Sequence, residues 1–148
     1  MDFLSDRKYI SNTPEETIQI GEEFADCLKT GSVVALHGRL GAGKTVFVRG
    51  IAQKLKIKEE ITSPSFNIIK EYEGSLGPFY HLDAFRLYGE EDFRLAGGED
   101  LLFGAGICVI EWPERINLPA GVINVEIAIL EDGKRSITYG GPFDDPCL

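Results

Sequence analysis

Hydrophobic and polar positions along this chain change period several times, and each change marks an element. Residues 7–11 read as a short edge strand. Thr13-Pro14-Glu15-Glu16 then carries three helix-start signals: a capping threonine, proline at the first helical position, and glutamate three residues after the cap. The pattern predicts a helix to about residue 30, with Ile20, Phe24, Cys27 and Leu28 as its apolar stripe and Gly31 as its stop. Residues 32–37 form a β-rich run, and Phe47, Ile51 and Leu55 then recur at helical spacing. Residues 66–72 and 78–83 predict two antiparallel strands joined by a hairpin-length connection, Glu73-Gly74-Ser75-Leu76-Gly77. Residues 84–103 look helical but are broken by Gly89 and Gly97-Gly98. Residues 107–111 are nearly all apolar, as a central strand is. Two more strands, 122–130 and 135–139, flank the hairpin signal Asp132-Gly133.

The segment between the β-rich run and the second helix changes this picture most. Gly38-Arg39-Leu40-Gly41-Ala42-Gly43-Lys44-Thr45 is a complete phosphate-binding loop, G-x-x-x-x-G-K-[ST]. Glycines let backbone N–H groups turn inward around a phosphate chain without side-chain clashes. Lys44 is placed to reach the β- and γ-phosphates, and the Thr45 hydroxyl to ligate Mg²⁺. The helix that follows, from about Val46, offers its positive end to the same anion. Strand, loop and helix in that order is the context the motif requires. The fold class expected is therefore α/β: a single P-loop NTPase-like domain with a mixed parallel and antiparallel sheet flanked by helices. It would span residues 1–148, with 1–12 as an edge segment and 140–148 as a flexible tail.

Composition and charge narrow the partners. At 43% hydrophobic the chain builds a core without a disulfide or metal staple. A net charge of −9 argues against a broad grip on DNA or another nucleic acid. Charge is uneven, however: residues 27–58 hold seven basic side chains and no acidic one. An electropositive phosphate site accounts for that run, with a patch for an anionic partner as the sharper alternative. Cys27, Cys108 and Cys147 are far apart with no C-x-x-C pair, and Cys27 and Cys108 lie in apolar patterns as small buried residues do. With no signal peptide and no apolar run approaching 18 residues, a soluble, cytoplasmic protein away from the membrane is the expectation.

A bound triphosphate needs acidic partners beyond the loop. In P-loop proteins an acid at the end of a neighbouring strand supports the Mg²⁺. Two strands end in one here, at Asp83 and Glu111, where open α/β sheets place their ligands. Asp83 is the better Mg²⁺ supporter, directly or through water. Glu111 either ligates Mg²⁺ or orients the attacking water, and sequence does not separate the two. Thr62, Ser63 and Ser65 surround Pro64, either as an ordinary turn or as a segment that closes over the γ-phosphate. Trp112 is either a core anchor or a platform beside the site. His81 shares a strand face with Asp83 and reads as a buried, satisfied histidine; Arg86 reads as a salt-bridge partner.

In their order and spacing, four segments resemble one family: the loop at 38–45, then Thr62-Ser63-Pro64-Ser65-Phe66, His81-Leu82-Asp83-Ala84-Phe85-Arg86-Leu87, and Ile110-Glu111-Trp112-Pro113-Glu114. The chain resembles the TsaE (YjeE) family, P-loop ATPases of bacterial tRNA N6-threonylcarbamoyladenosine (t6A37) synthesis, from about residue 13 to 139. The resemblance implies an ATP- and Mg²⁺-dependent, partner-stimulated ATPase that acts with TsaB and TsaD and meets tRNA only through that complex. It implies catalytic positions at Lys44, Asp83 and Glu111, and metal positions at Thr45, Asp83 and Glu111. It implies nucleotide contacts at Gly38, Gly41, Ala42, Gly43, Lys44, Thr45, Val46 and Trp112, and also at Thr13 and Arg135. The chain departs from the family at Ser65, where threonine is usual, and at Phe85, where tyrosine is usual.

Other P-loop classes fit less well. A small-molecule or nucleotide kinase needs a cationic clamp on the transferred group, and the arginines here are scattered. A GTP switch protein carries an N-K-x-D element, which this chain lacks. Two strand-end acids argue against a module that only holds nucleotide.

Overall fold

The computed structural model describes residues 7–39, 41–62, 69–85, 87 and 90–141. Along the chain these form β1 (Arg7–Ser11), α1 (Pro14–Ala25), β2 (Val33–His37), α2 (Lys44–Lys54), β3 (Ile69–Gly74), β4 (Gly77–Asp83), α3 (Glu90–Leu95), α4 (Gly98–Leu102) and β5 (Ile107–Glu111). A 3-10 turn (Pro113–Arg115), β6 (Ile123–Ile129) and β7 (Arg135–Gly140) complete the series.

The strands form one sheet in the order β1-β7-β6-β2-β5-β4-β3. β6, β2, β5 and β4 run parallel at its centre. β7 joins β6 antiparallel, β1 joins β7 antiparallel, and β3 joins β4 antiparallel. The sheet is therefore mixed, as the pattern predicts. The two central strands are the most buried: every residue of β5 is buried, and only His37 of β2 is not.

Side chains that alternate along the central strands feed two cores. Val34, Leu36, Val109, Val125 and Ile127 pack with Phe24 of α1 and Phe47 and Ile51 of α2. On the other face Val33, Leu82, Cys108 and Ile110 pack with Phe93 of α3 and Leu102 of α4. Cys108 is a free, buried thiol, and burial pushes its pKa up to about 12. Cys27 is half-buried at the rim of the first core.

Helix α1 opens as expected. Thr13 Oγ1 accepts the Glu16 amide at 3.1 Å, and the Glu16 carboxylate accepts the Asn12 amide at 2.7 Å. It ends earlier than the stripe predicts, at Ala25, because the amides of Cys27 and Leu28 turn back to Phe24 and Ala25 in tighter bonds. Leu28 still reaches the core from that turn. Where α1 crosses α2 there is no room for side chains. A Cβ on Gly21 would lie 2.4 Å from the Phe47 carbonyl oxygen, and one on Gly50 2.2 Å from that of Ile18. The periodicity gave no sign of this backbone contact.

Two boundaries differ from expectation, and the break expected at Gly97-Gly98 stands. The β3–β4 connection is two residues, Ser75 and Leu76, with Gly77 at φ +95°. Gly140 belongs to β7, paired with Asn124, rather than to a tail. The helical stretch between β4 and β5 is two short helices, split at Gly97, whose φ is +88°. Ser63, Pro64, Ser65, Arg86, Gly89 and Cys147 lie outside the described residues. Among the described residues no helix is long and apolar enough to cross a membrane.

Candidate functional site

The phosphate-binding loop leaves β2 at Gly38 and enters α2 at Lys44. Gly41 and Gly43 take φ of +83° and +102°, values that L side chains rarely adopt. Among the described residues nothing lies within 4 Å of a Cβ added to either glycine, so open space faces the loop on their side. Gly38 differs: its Cβ would lie 2.9 Å from the Ile127 carbonyl oxygen. Gly43 caps α2 with no side-chain hydrogen bond, and the first amides of a helix have no partner within it. A row of donors therefore faces an open space, the setting for an anion.

Arg135, at the start of β7, braces this loop from behind. Its Nε donates to the Ala42 carbonyl at 3.0 Å and its Nη2 to that of Gly41 at 3.3 Å. A cavity of about 280 Å³ opens between this brace and the start of α1, lined by Thr13, Pro14, Thr17, Gly41, Gly43 and Val46 among others. The structure thus brings Thr13, Val46 and Arg135 to one cavity with Gly41, Ala42 and Gly43. Ser11 and Asn12, expected only as part of an edge segment, also line it. A second cavity, of about 640 Å³, lies beyond the loop and includes Gly38, Ala42, Arg39 and Trp112. The loop forms the ridge between the two cavities, and Ala42 touches both.

The acids are brought together by register. β4 and β5 pair in parallel with Asp83 opposite Glu111, so both carboxylates leave one face of the sheet. Their surroundings differ. Asp83 is half-buried, and its Oδ1 accepts the Phe85 amide at 2.9 Å. Glu111 is only 5% exposed. Its Oε2 lies 2.6 Å from His81 Nε2, and its Oε1 lies 3.6 Å from Lys44 Nζ. Burial pushes the Glu111 carboxyl up, but the His81 hydrogen bond and the Lys44 ammonium outweigh it and hold the group below its ordinary range. His81 is fully buried, yet it is only half satisfied, because its Nδ1 has no hydrogen-bond partner among the described residues.

Lys44 is buried despite its charge, and two features account for this. Glu111 neutralises it, and its Nζ sits 4.4 Å from the centre of the Trp112 ring. Trp112 is neither a deep core anchor nor a free platform. It is half-buried, packs on Phe85 with ring centres 4.9 Å apart, and holds a left-handed backbone of φ 58°, ψ 50°. That conformation is rare for a bulky residue and turns the chain sharply after Glu111. Among the described residues no three His, Cys, Asp or Glu side chains form a metal-holding group. The oxygen donors on offer are Thr45, Asp83 and Glu111, few and hard, as Mg²⁺ accepts when phosphates and waters supply the rest.

Comparison with known proteins decides what this site belongs to. The family model for "Threonylcarbamoyl adenosine biosynthesis protein TsaE" matches residues 11–137. The chain belongs to the TsaE family. Its relatives include a Treponema pallidum protein named tRNA threonylcarbamoyladenosine biosynthesis protein TsaE, 44% identical over 131 residues, covering 87% of this chain and 96% of that one. A Bacillus subtilis protein of the same name is 38% identical over 134 residues, covering 89% and 84%. The crystal structure of Bacillus subtilis YdiB superposes with a TM-score of 0.76 at 34% identity, covering 92% of this chain and 85% of the other. The family match takes in every site residue named above, from Ser11 to Arg135.

Proposed function

We propose that this TsaE-family chain is the ATP-binding and ATP-hydrolysing subunit of a tRNA t6A37 modification system, Mg²⁺-dependent and stimulated by the TsaB–TsaD complex. The relatives' names supply the pathway. The observation that carries the catalytic reading is the Lys44–Glu111 pair, because it joins the phosphate loop to a carboxylate at a neighbouring strand end.

In this reading the loop amides and Lys44 hold the β- and γ-phosphates. Thr13, Val46 and Arg135 bound the cavity that receives the nucleoside. Thr45 and Asp83 hold Mg²⁺, which supplies charge neutralisation on the phosphate oxygens. Glu111 accepts a hydrogen bond from the attacking water. The water oxygen bonds to the γ-phosphorus while the bond to the β–γ bridging oxygen breaks, and ADP leaves with that electron pair. The water's proton passes to the Glu111 carboxylate or to the phosphate product. Mg²⁺ ligation by Glu111 is less favoured, because the Lys44 ammonium already lies 3.6 Å from Oε1 and would repel a second cation there, whereas a neutral water is not repelled.

Phosphate release from ATP, measured with and without TsaB–TsaD, tests the proposal. Turnover should rise with the partners. Lys44→Ala and Asp83→Ala should each lower it by on the order of 100-fold or more, with the fold retained by circular dichroism. Hydrolysis unchanged in either variant removes that residue from the mechanism. Stoichiometric transfer of phosphate to a small metabolite replaces the hydrolase with a kinase.

A further inference from the structure

His81 was not placed in the site by its sequence context, and its geometry argues for a specific duty. It sits on β4 two residues before Asp83, fully buried, with Nε2 2.6 Å from Glu111 Oε2. Its other ring nitrogen, Nδ1, is buried with no hydrogen-bond partner among the described residues. A neutral imidazole carries one N–H and one bare nitrogen. Were the proton on Nδ1, a buried donor would go unmatched and a lone pair on Nε2 would face a carboxylate. With the proton on Nε2, the N–H donates to Glu111 and only a lone pair goes unmatched, the cheaper of the two omissions.

We propose that His81 is a positioning residue: its Nε2–H fixes Glu111 Oε2, so that Oε1 is the one oxygen presented toward the phosphate loop to engage Lys44 and the attacking water. The proposal rests on the hydrolytic reading above. The supporting geometry is the shared register. β4 and β5 are held in parallel with His81 opposite Val109 and Asp83 opposite Glu111. The amide of Ala84 donates to the Glu111 carbonyl at 3.1 Å, which holds the end of β5 against β4. The backbone of Glu111 is thus fixed by the strands and one carboxylate oxygen by His81. A carboxylate so held loses rotation about its terminal bond, which is what orienting a water requires.

Two variants separate this duty from mere filling of the core. In His81→Gln the side-chain amide reaches where Nε2 stood; in His81→Asn it reaches only as far as Nδ1. Hydrolysis by His81→Gln should stay within about threefold of wild type. His81→Asn should lose roughly 10- to 100-fold in kcat with KM for ATP nearly unchanged, since no nucleotide contact is removed. Imidazole nitrogen NMR shifts of the unsubstituted protein supply a second measurement, independent of turnover and of any variant's folding. They should show a protonated Nε2 and a bare Nδ1. Equal kcat in the Gln and Asn variants, or a KM rise that accounts for the loss, overturns the positioning role. So does a bare Nε2 in the NMR spectrum. If wild type itself releases no phosphate from ATP with TsaB–TsaD present, the hydrolytic reading fails, and the positioning role fails with it.

Discussion

The two faces of the sheet are built to different tolerances. On the face that carries the phosphate loop, α1 and α2 are twelve and eleven residues long and meet backbone to backbone at Gly21 and Gly50. On the opposite face α3 and α4 are six and five residues long, and Leu95 and Phe103 beside them are 75% and 73% exposed. Both faces have a buried aromatic at their centre, Phe47 on one and Phe93 on the other. They differ in how much chain surrounds it. Amides aimed at a phosphate must keep their directions, so the helix that begins with them is the one packed most closely.

The largest test of this contrast is Phe47→Ala. Phe47 is fully buried, with its ring 5.4 Å from that of Phe24, and its loss should cost about 3–5 kcal/mol, read from urea unfolding. Next comes Gly50→Ala. In an ordinary helix this change gains roughly 0.5–1 kcal/mol. Here the new methyl meets the Ile18 carbonyl, so a net loss of about 1–3 kcal/mol is expected. A gain in stability would show that the helices can part without penalty, and the two faces would no longer differ.

Acid provides the third test. The Glu111 carboxyl is held below its ordinary value in the folded protein. Its contribution to stability is therefore present above the unfolded carboxylate range, around pH 4.3, and is lost as pH falls through the folded value. Glu111→Gln should flatten that part of the pH–stability curve, and an unchanged slope between pH 5 and 3 would break the link to the buried pair. The smallest effects belong to the looser face. Leu95→Ser and Phe103→Ser should each stay within about 0.5 kcal/mol of wild type by thermal melting. A loss above 1 kcal/mol in either would mean that α3 and α4 bury more than their exposure indicates.

Much of the scaffold was legible because it depends on local pattern. The loop, the capping signals at Thr13 and the apolar run of β5 are all short-range features, and each stands in the structure where periodicity placed it. What escaped depends on contacts between distant segments. Gly21 and Gly50 look like weak points in two separate helices until the helices cross. The His81–Glu111 bond requires the parallel register of β4 on β5, which no spacing in the chain encodes. The left-handed backbone of Trp112 has no composition signal, because glycine or asparagine is the usual occupant of that region. Thr13 and Arg135 came from the resemblance alone, and Arg135 reaches the loop only because β7 lies on the same sheet as β2.

β1 and β7 pair across nearly the whole chain, Arg7 opposite Tyr139, with the rings of Tyr9 and Tyr139 stacked 5.7 Å apart. This has a consequence for a protein emerging from the ribosome. Among the described strands β1 is the first to be made, and its neighbour in the sheet, β7, is the last of them. The segment that follows β1 carries Ser11, Asn12 and Thr13, and β7 opens with Arg135, so the opposite walls of one cavity are joined by that late pairing. Until residue 135 is made, the phosphate loop lacks the Arg135 hydrogen bonds to the Gly41 and Ala42 carbonyls. The cavity beside the phosphate loop is thus completed by the same late pairing that brings β1 into the sheet.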